Sequence, residues 1–389
     1  MSLVQPFVIN IPNSELARIR DRVSAYTWHE APVGSGWEYG TNIDYMKELC
    51  GFWLNSFDWR THEQAINRFP QFLAKVDNLD LHFIHEIGSG PSPQPLLLIH
   101  GWPGSIVEFL DVIEPLAHPE RFGGNVNDAF SVVAPSLPGF GFSEKPQTPV
   151  GPRAIAKLFT GLMADTLGYD HFTTQGGDWG SVISSWIGFD HRDRCDGVHL
   201  NMFGVRSSDA NPETNTEKNW AREAKKTIAT EGGYFKIQST KPQTLSYAMM
   251  DSPVGVAAWI VEKFQRWGDI EDGYVDATFS MDQVLANIMV YLVTETFNTA
   301  SWIYRAYADE KSSFLPDGGR VQVPVGVANF PKEFIPWPPR IYAEKSYNIV
   351  HWTDMPHGGH FAAMEQPQLF TKDLQTFLQI LREPAPPQD

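Results

Sequence analysis

Cysteine is nearly absent: Cys50 and Cys195 are the only two in 389 residues. Two thiols so far apart give no disulfide framework and no metal-ligand spacing, and they read as buried thiols in a reducing compartment. Long apolar runs are also missing. No stretch approaches the ~18–20 uninterrupted apolar residues of a membrane span. Met1 to Asn10 has no basic region followed by an apolar run, so no signal peptide is expected and the protein is placed in the cytoplasm. Basic charge is short as well, with 30 Lys and Arg against 46 Asp and Glu, a formal net charge of -16. That balance argues against nucleic acid and anionic membrane as partners; the excess acid is expected on a solvated surface. Metal clusters, phosphate loops and the dinucleotide fingerprint with its acidic partner are all missing, so no cofactor is expected.

Aromatic residues, by contrast, are plentiful: 13% of the chain, with 13 Trp. Such residues fill cores, and they also line apolar substrate pockets. The length allows one large α/β domain with an appendage, or two domains. Residues 1–78 read as a meandering strap. The apolar positions Leu16, Ile19 and Val23 recur at helical spacing behind a Pro-Asn start. A Gly- and Trp-rich loop follows (33–41), then two amphipathic helices over 45–57 and 61–69.

From residue 79 to 204 strands alternate with helices, which implies a mostly parallel, doubly wound sheet. Strands are predicted at 79–87, 95–99, 130–134, 171–174 and 197–203. Residues 205–320 lose that rhythm and read as helices (216–231, 254–267, 281–306), a cap inserted over the C-terminal ends of the strands. The sheet resumes over 321–389 with strands at 321–328 and 347–353, a helix at 367–381 and a Pro-rich tail.

The chemistry centres on Gln175-Gly176-Gly177-Asp178-Trp179-Gly180-Ser181, between a β-like and a helix-like run. Small residues at 176 and 180 fit the sharp strand-to-helix turn of a nucleophile elbow. Its central residue is Asp178, where an esterase would carry serine. A carboxylate in that place can attack an sp³ carbon and leave an alkyl ester on the enzyme, which water then hydrolyses at the aspartyl carbonyl. Epoxides and alkyl halides suit this two-step logic. The bland alternative is that Asp178 only caps the following helix.

A base must activate the water, and His360, between flanking glycines before the last helix, has the expected place; His357 is its rival. The acid that orients the imidazole is Glu333, after the penultimate strand, or Asp354, at the end of the last. Backbone N–H groups of Trp102 and Trp179 are the candidate oxyanion hole, since Pro103 has none to give. Their indoles should wall the pocket. An alkoxide released by ring opening needs a donor, and Tyr304 suits that need; spacing alone cannot tell it from a core tyrosine.

The chain resembles the microsomal-type epoxide hydrolases of the α/β-hydrolase superfamily over nearly its whole length. The motifs that carry the resemblance are His100-Gly101-Trp102-Pro103-Gly104-Ser105, Gly176-Gly177-Asp178-Trp179-Gly180-Ser181 and Gly358-Gly359-His360-Phe361-Ala362-Ala363. The resemblance implies Asp178 as nucleophile, His360 as base, Glu333 as orienting acid and Tyr304 as one of two ring-opening tyrosines. It puts Trp259, within Ser252–Phe264, where the other tyrosine is expected. An indole can hold the oxygen but cannot protonate it, so Tyr304 would act alone, or Tyr247 or Tyr291 would fill in.

Haloalkane dehalogenase is the nearest rival, sharing the fold, the Asp nucleophile and the following Trp, with Trp259 as a halide-holding indole. A ligand-binding protein on the same scaffold is the rival from another class. The expected substrate is a small-molecule epoxide, bulky or aryl; a homodimer is compatible with the sequence. Detoxifying and biosynthetic roles would look alike.

Overall fold

An apolar run with no polar alternation needs cover on both faces, and Leu96–Ile99 finds it in the middle of a parallel sheet. The computed structural model describes residues 4–270 and 273–382. Its strands, in chain order, are β1 (Gln5–Phe7), β2 (Gln71–Val76), β3 (Leu79–Glu86), β4 (Gln94–Ile99), β5 (Phe130–Pro135) and β6 (Phe172–Gly176). They continue with β7 (Cys195–Leu200), β8 (Arg206–Ser207), β9 (Phe314–Leu315), β10 (Val321–Asn329) and β11 (Tyr347–Asp354). One nine-stranded sheet runs β1-β2-β3-β5-β4-β6-β7-β10-β11, and β8 pairs with β9 apart from it. Every pairing from β5 across to β11 is parallel, while β1, β2 and β3 extend the sheet antiparallel at the other end. This is the α/β-hydrolase arrangement. The Pro-rich tail from Glu383 and the first three residues lie outside the described residues.

The opening segment holds the helices Asn13–Ser24, Ile43–Asn55 and Trp59–Asn67. It also contributes β1 and β2, which helical periodicity does not reveal. The β2–β3 hairpin closes through Asp77 and Asn78, both at positive φ (45° and 69°), between the paired Val76 and Leu79. Two residues at positive φ match the twist of the flanking strands, and Asp and Asn adopt that conformation at low cost.

The cap is helical: Asn215–Glu231, Gly233–Thr240, Pro242–Met249, Pro253–Trp267, Met281–Val293 and Phe297–Glu310. The single helix expected over 281–306 is instead two, broken near Glu295, whose φ is 53°. The break lets the second helix turn and pack on Gly233–Thr240. No helix among the described residues is long and apolar enough to cross a membrane.

Candidate active site

Asp178 begins the helix Asp178–Asp190 directly after β6 and holds φ at 46°, a left-handed conformation that few non-glycine residues accept. The motif's glycines are what make this turn possible. A Cβ on Gly176 would sit 2.1 Å from the backbone of Gly180, and one on Gly180 would sit 1.9 Å from Ile99 O. Strand end and helix start therefore touch, and the aspartate is thrown above the sheet. Its role as a mere cap fails on geometry: the helix N-cap is Gly177, with no side-chain capping bond.

The loop after β4 comes up against the carboxylate. A Cβ on Gly101 would lie 2.2 Å from Asp178 Oδ1. The Trp102 N–H donates to Asp178 Oδ1 at 2.8 Å. The Trp179 N–H lies in the first helical turn, where no carbonyl of the same helix can accept from it. The Trp102 N–H thus reaches the carboxylate, and the Trp179 N–H is left without a helical acceptor.

His360 follows β11 and is 5% exposed. Its Nε2 stands 3.5 Å from Asp178 Oδ2, and its Nδ1 meets Glu333 Oε1 and Oε2 at 3.0 and 2.9 Å. Burial pushes the imidazole down, but the charges and hydrogen bonds of Glu333 and Asp178 together outweigh it and hold His360 well above its ordinary value. The rivals are elsewhere. His357 is exposed, and Asp354 is exposed and accepts from Asn329 and Trp352.

Tyr304 is 1% exposed, and among the described residues its hydroxyl has no hydrogen-bond partner. Its ring lies 4.8 Å from that of Trp179 and 5.7 Å from that of Trp102, the residue after Asp178 and the residue whose N–H meets the Asp178 carboxylate. Beside it stands Tyr234, which the sequence reasoning missed. Tyr234 stacks on Trp102 at 5.1 Å and lies 5.7 Å from Tyr304. Burial holds both phenols well above the usual tyrosine value, with the nearby Asp178 charge adding to the effect. Both are neutral donors at neutral pH.

The structure corrects the expectation for Trp259. Its indole N–H donates to Gln238 Oε1 at 3.0 Å, so it is neither a stand-in for the second tyrosine nor a halide holder. Tyr291 donates to Gly104 O at 2.6 Å, and Tyr247 is 78% exposed. The tyrosine beside Tyr304 is therefore Tyr234. The sequence signal for it was faint, because Gly232-Gly233 interrupts helical periodicity just before it.

A small cavity of about 20 Å³ is lined by Asp178, His360, Trp102, Glu108 and Gln175, among others. That is room for about one water molecule next to His360. Burial pushes the Glu108 carboxyl up to about 8.

Comparison with known proteins points to one family. Residues 4–109 match the family described as epoxide hydrolase N terminus, and residues 94–232 match the alpha/beta hydrolase fold. A provisionally assigned epoxide hydrolase of Stigmatella aurantiaca is 40% identical over 386 residues, spanning 97% of this chain and 86% of that one. Epoxide hydrolase 1 of Sus scrofa is 34% identical, over 98% of this chain and 89% of its own. The crystal structure of juvenile hormone epoxide hydrolase from the silkworm Bombyx mori matches with a TM-score of 0.88 at 28% identity, covering 98% of this chain and 95% of that one.

Proposed function

The chain belongs to the epoxide hydrolase family, and from that membership we propose that it converts an epoxide and water to a vicinal diol through an ester on Asp178. The observation that carries the mechanism is the line Asp178–His360–Glu333, with 3.5 Å between His360 Nε2 and the nearer carboxylate oxygen. In the first step an Asp178 oxygen attacks an epoxide carbon, and the ring C–O bond breaks. The electron pair goes to the epoxide oxygen, which takes a proton from the tyrosine pair Tyr304 and Tyr234. In the second step His360 Nε2 removes a proton from water, and the hydroxide attacks the ester carbonyl. The N–H groups of Trp102 and Trp179 are aimed to stabilise the resulting oxyanion. Collapse expels the diol oxygen, which takes the proton from His360. The proton left on the Asp178 carboxyl restores the tyrosine.

The electrostatics support this order. Ionised Asp178 helps keep a proton on His360 in the resting enzyme. Esterification removes that negative charge while burial still disfavours the imidazolium, so His360 releases its proton to solvent and becomes a base when a base is needed; it takes a proton back once Asp178 is again ionised. The aromatic walls (Trp102, Trp179, Tyr304, Tyr234) support an aryl or other bulky apolar epoxide as substrate.

A single turnover with styrene oxide in ¹⁸O-labelled water, under excess enzyme, tests the mechanism. The expected result is diol together with ¹⁸O in the carboxylate of the peptide bearing Asp178. Diol with an unlabelled Asp178 would mean direct attack by water and would end the covalent reading.

A further inference from the structure

A lysine ammonium taken out of water is costly unless charge and π-electron partners replace the solvent. Lys263, on the helix Pro253–Trp267, is 3% exposed. It pairs with its neighbour Glu262, whose side chain is 24% exposed. Its other close surroundings are aromatic: Nζ lies 4.5 Å from the ring centroid of Tyr234, 5.5 Å from that of Trp267 and 5.9 Å from that of Trp259. Among the described residues, a cation lies over the ring of Tyr234 and none over that of Tyr304. An apolar side chain of similar volume would fill the same space without the desolvation cost. Stability alone is therefore a poor reason for a lysine here.

We infer that Lys263 is a positioning residue that makes Tyr234 the stronger proton donor of the ring-opening pair. As Tyr234 passes its proton toward the epoxide oxygen, negative charge builds on the phenolic oxygen and spreads into the ring. A cation over that ring attracts the charged form more than the neutral one, so it lowers the energy of the transition state more than that of the resting enzyme. The same helix fixes the geometry. Trp259, Lys263 and Trp267 recur every four residues and share one face. Trp259 binds Gln238, which lies one turn beyond Tyr234 on the helix Gly233–Thr240. Trp267 packs on Tyr234 at 5.2 Å and on His360 at 5.0 Å. One helix face thus holds the donor tyrosine in place and charges its surroundings.

This inference rests on the proposed covalent reaction, and its test separates the two. Rapid mixing with styrene oxide, followed by tryptophan fluorescence, gives the rate of ester formation and the rate of its hydrolysis separately. Lys263→Met is expected to slow ester formation about tenfold, the scale of a desolvated cation–π contact, and to leave hydrolysis within about twofold. Lys263→Arg, which keeps the cation, should restore most of the loss. In a Tyr234→Phe background, Lys263→Met should add nothing. If Lys263→Met does not fold, Lys263→Gln carries the same expectation. Normal ester formation in Lys263→Met, or a full further loss on top of Tyr234→Phe, would overturn the role of Lys263. A wild-type enzyme that makes diol without accumulating ester, and without labelling Asp178, would instead overturn the covalent reaction itself.

Discussion

Replacing Tyr304 or Tyr234 by phenylalanine keeps the ring packing and removes one hydroxyl. Each hydroxyl is a neutral donor next to the nucleophile, so each variant is expected to slow ester formation by about 10²-fold, with hydrolysis of the ester nearly unchanged. Stopped-flow single turnovers read the two steps apart; a variant that slows hydrolysis alone would mean its tyrosine does not serve ring opening. Glu333→Gln should show the opposite split. Glu333 and Asp178 together hold His360 above its ordinary value, so in the ester, where Asp178 carries no charge, losing the Glu333 charge leaves burial unopposed and weakens the base. Hydrolysis is then expected to slow by about 10²-fold or more while ester formation persists, visible as accumulated ester by mass spectrometry. Asp178 and His360 were legible in the sequence because glycines mark the turns that present them, whereas Glu333 was told from Asp354 only by the family resemblance. Tyr234 was not legible. Its position depends on how two cap helices pack, and no local pattern encodes that contact.

The loop that carries His360 is held by the cap as well as by the sheet. His360 N–H donates to Trp267 O at 2.9 Å, and Gly358 N–H donates to Asp269 Oδ2 at 2.8 Å. Glu365 gathers the rest: Oε2 accepts from Asp269 N–H and Gly359 N–H, and Oε1 accepts from Phe361 N–H. Glu365→Gln turns one of these acceptors into a donor facing an N–H. The expected cost is about 1–3 kcal/mol in urea unfolding, with ester hydrolysis slowed more than ester formation because the loop carries the base. Equal slowing of both steps would mean that the loop does not steer His360. The ties to Trp267 and Asp269 were not legible, since they link residues about ninety positions apart. The same limit applies to the elements themselves. Continuous apolar runs found the buried strands, but β2 has its apolar run broken by Lys75, and the run over 281–306 is apolar enough to hide the break at Glu295.

At the scale of the whole molecule, buried acids set how stability follows pH. Burial pushes Glu108 up from 4.5 to about 8 and Glu365 up from 4.5 to about 7, so folding favours their protonated forms. Their contribution is complete below the unfolded value and is lost as pH rises through the folded one. His360, also raised, acts in the same direction. Asp373 acts in the opposite one. It accepts hydrogen bonds from His199 at 2.9 Å, His351 at 2.8 Å and Thr353 at 2.6 Å, tying the C-terminal helix to β7 and β11. Burial would raise its carboxyl, but these bonds together hold it well below the usual range, so its contribution is present above 3.8 and lost as pH falls. Stability should therefore peak in mildly acidic solution and decline towards both sides. Glu108→Gln cannot ionise, so it should flatten the alkaline decline between about pH 5 and 9 by roughly 1–3 kcal/mol. Asp373→Asn should lower stability by about 3 kcal/mol near neutrality and flatten the acid decline instead. Urea unfolding across that pH series checks both at once. An unchanged alkaline slope in Glu108→Gln would mean that Glu108 does not enter the fold as a neutral acid.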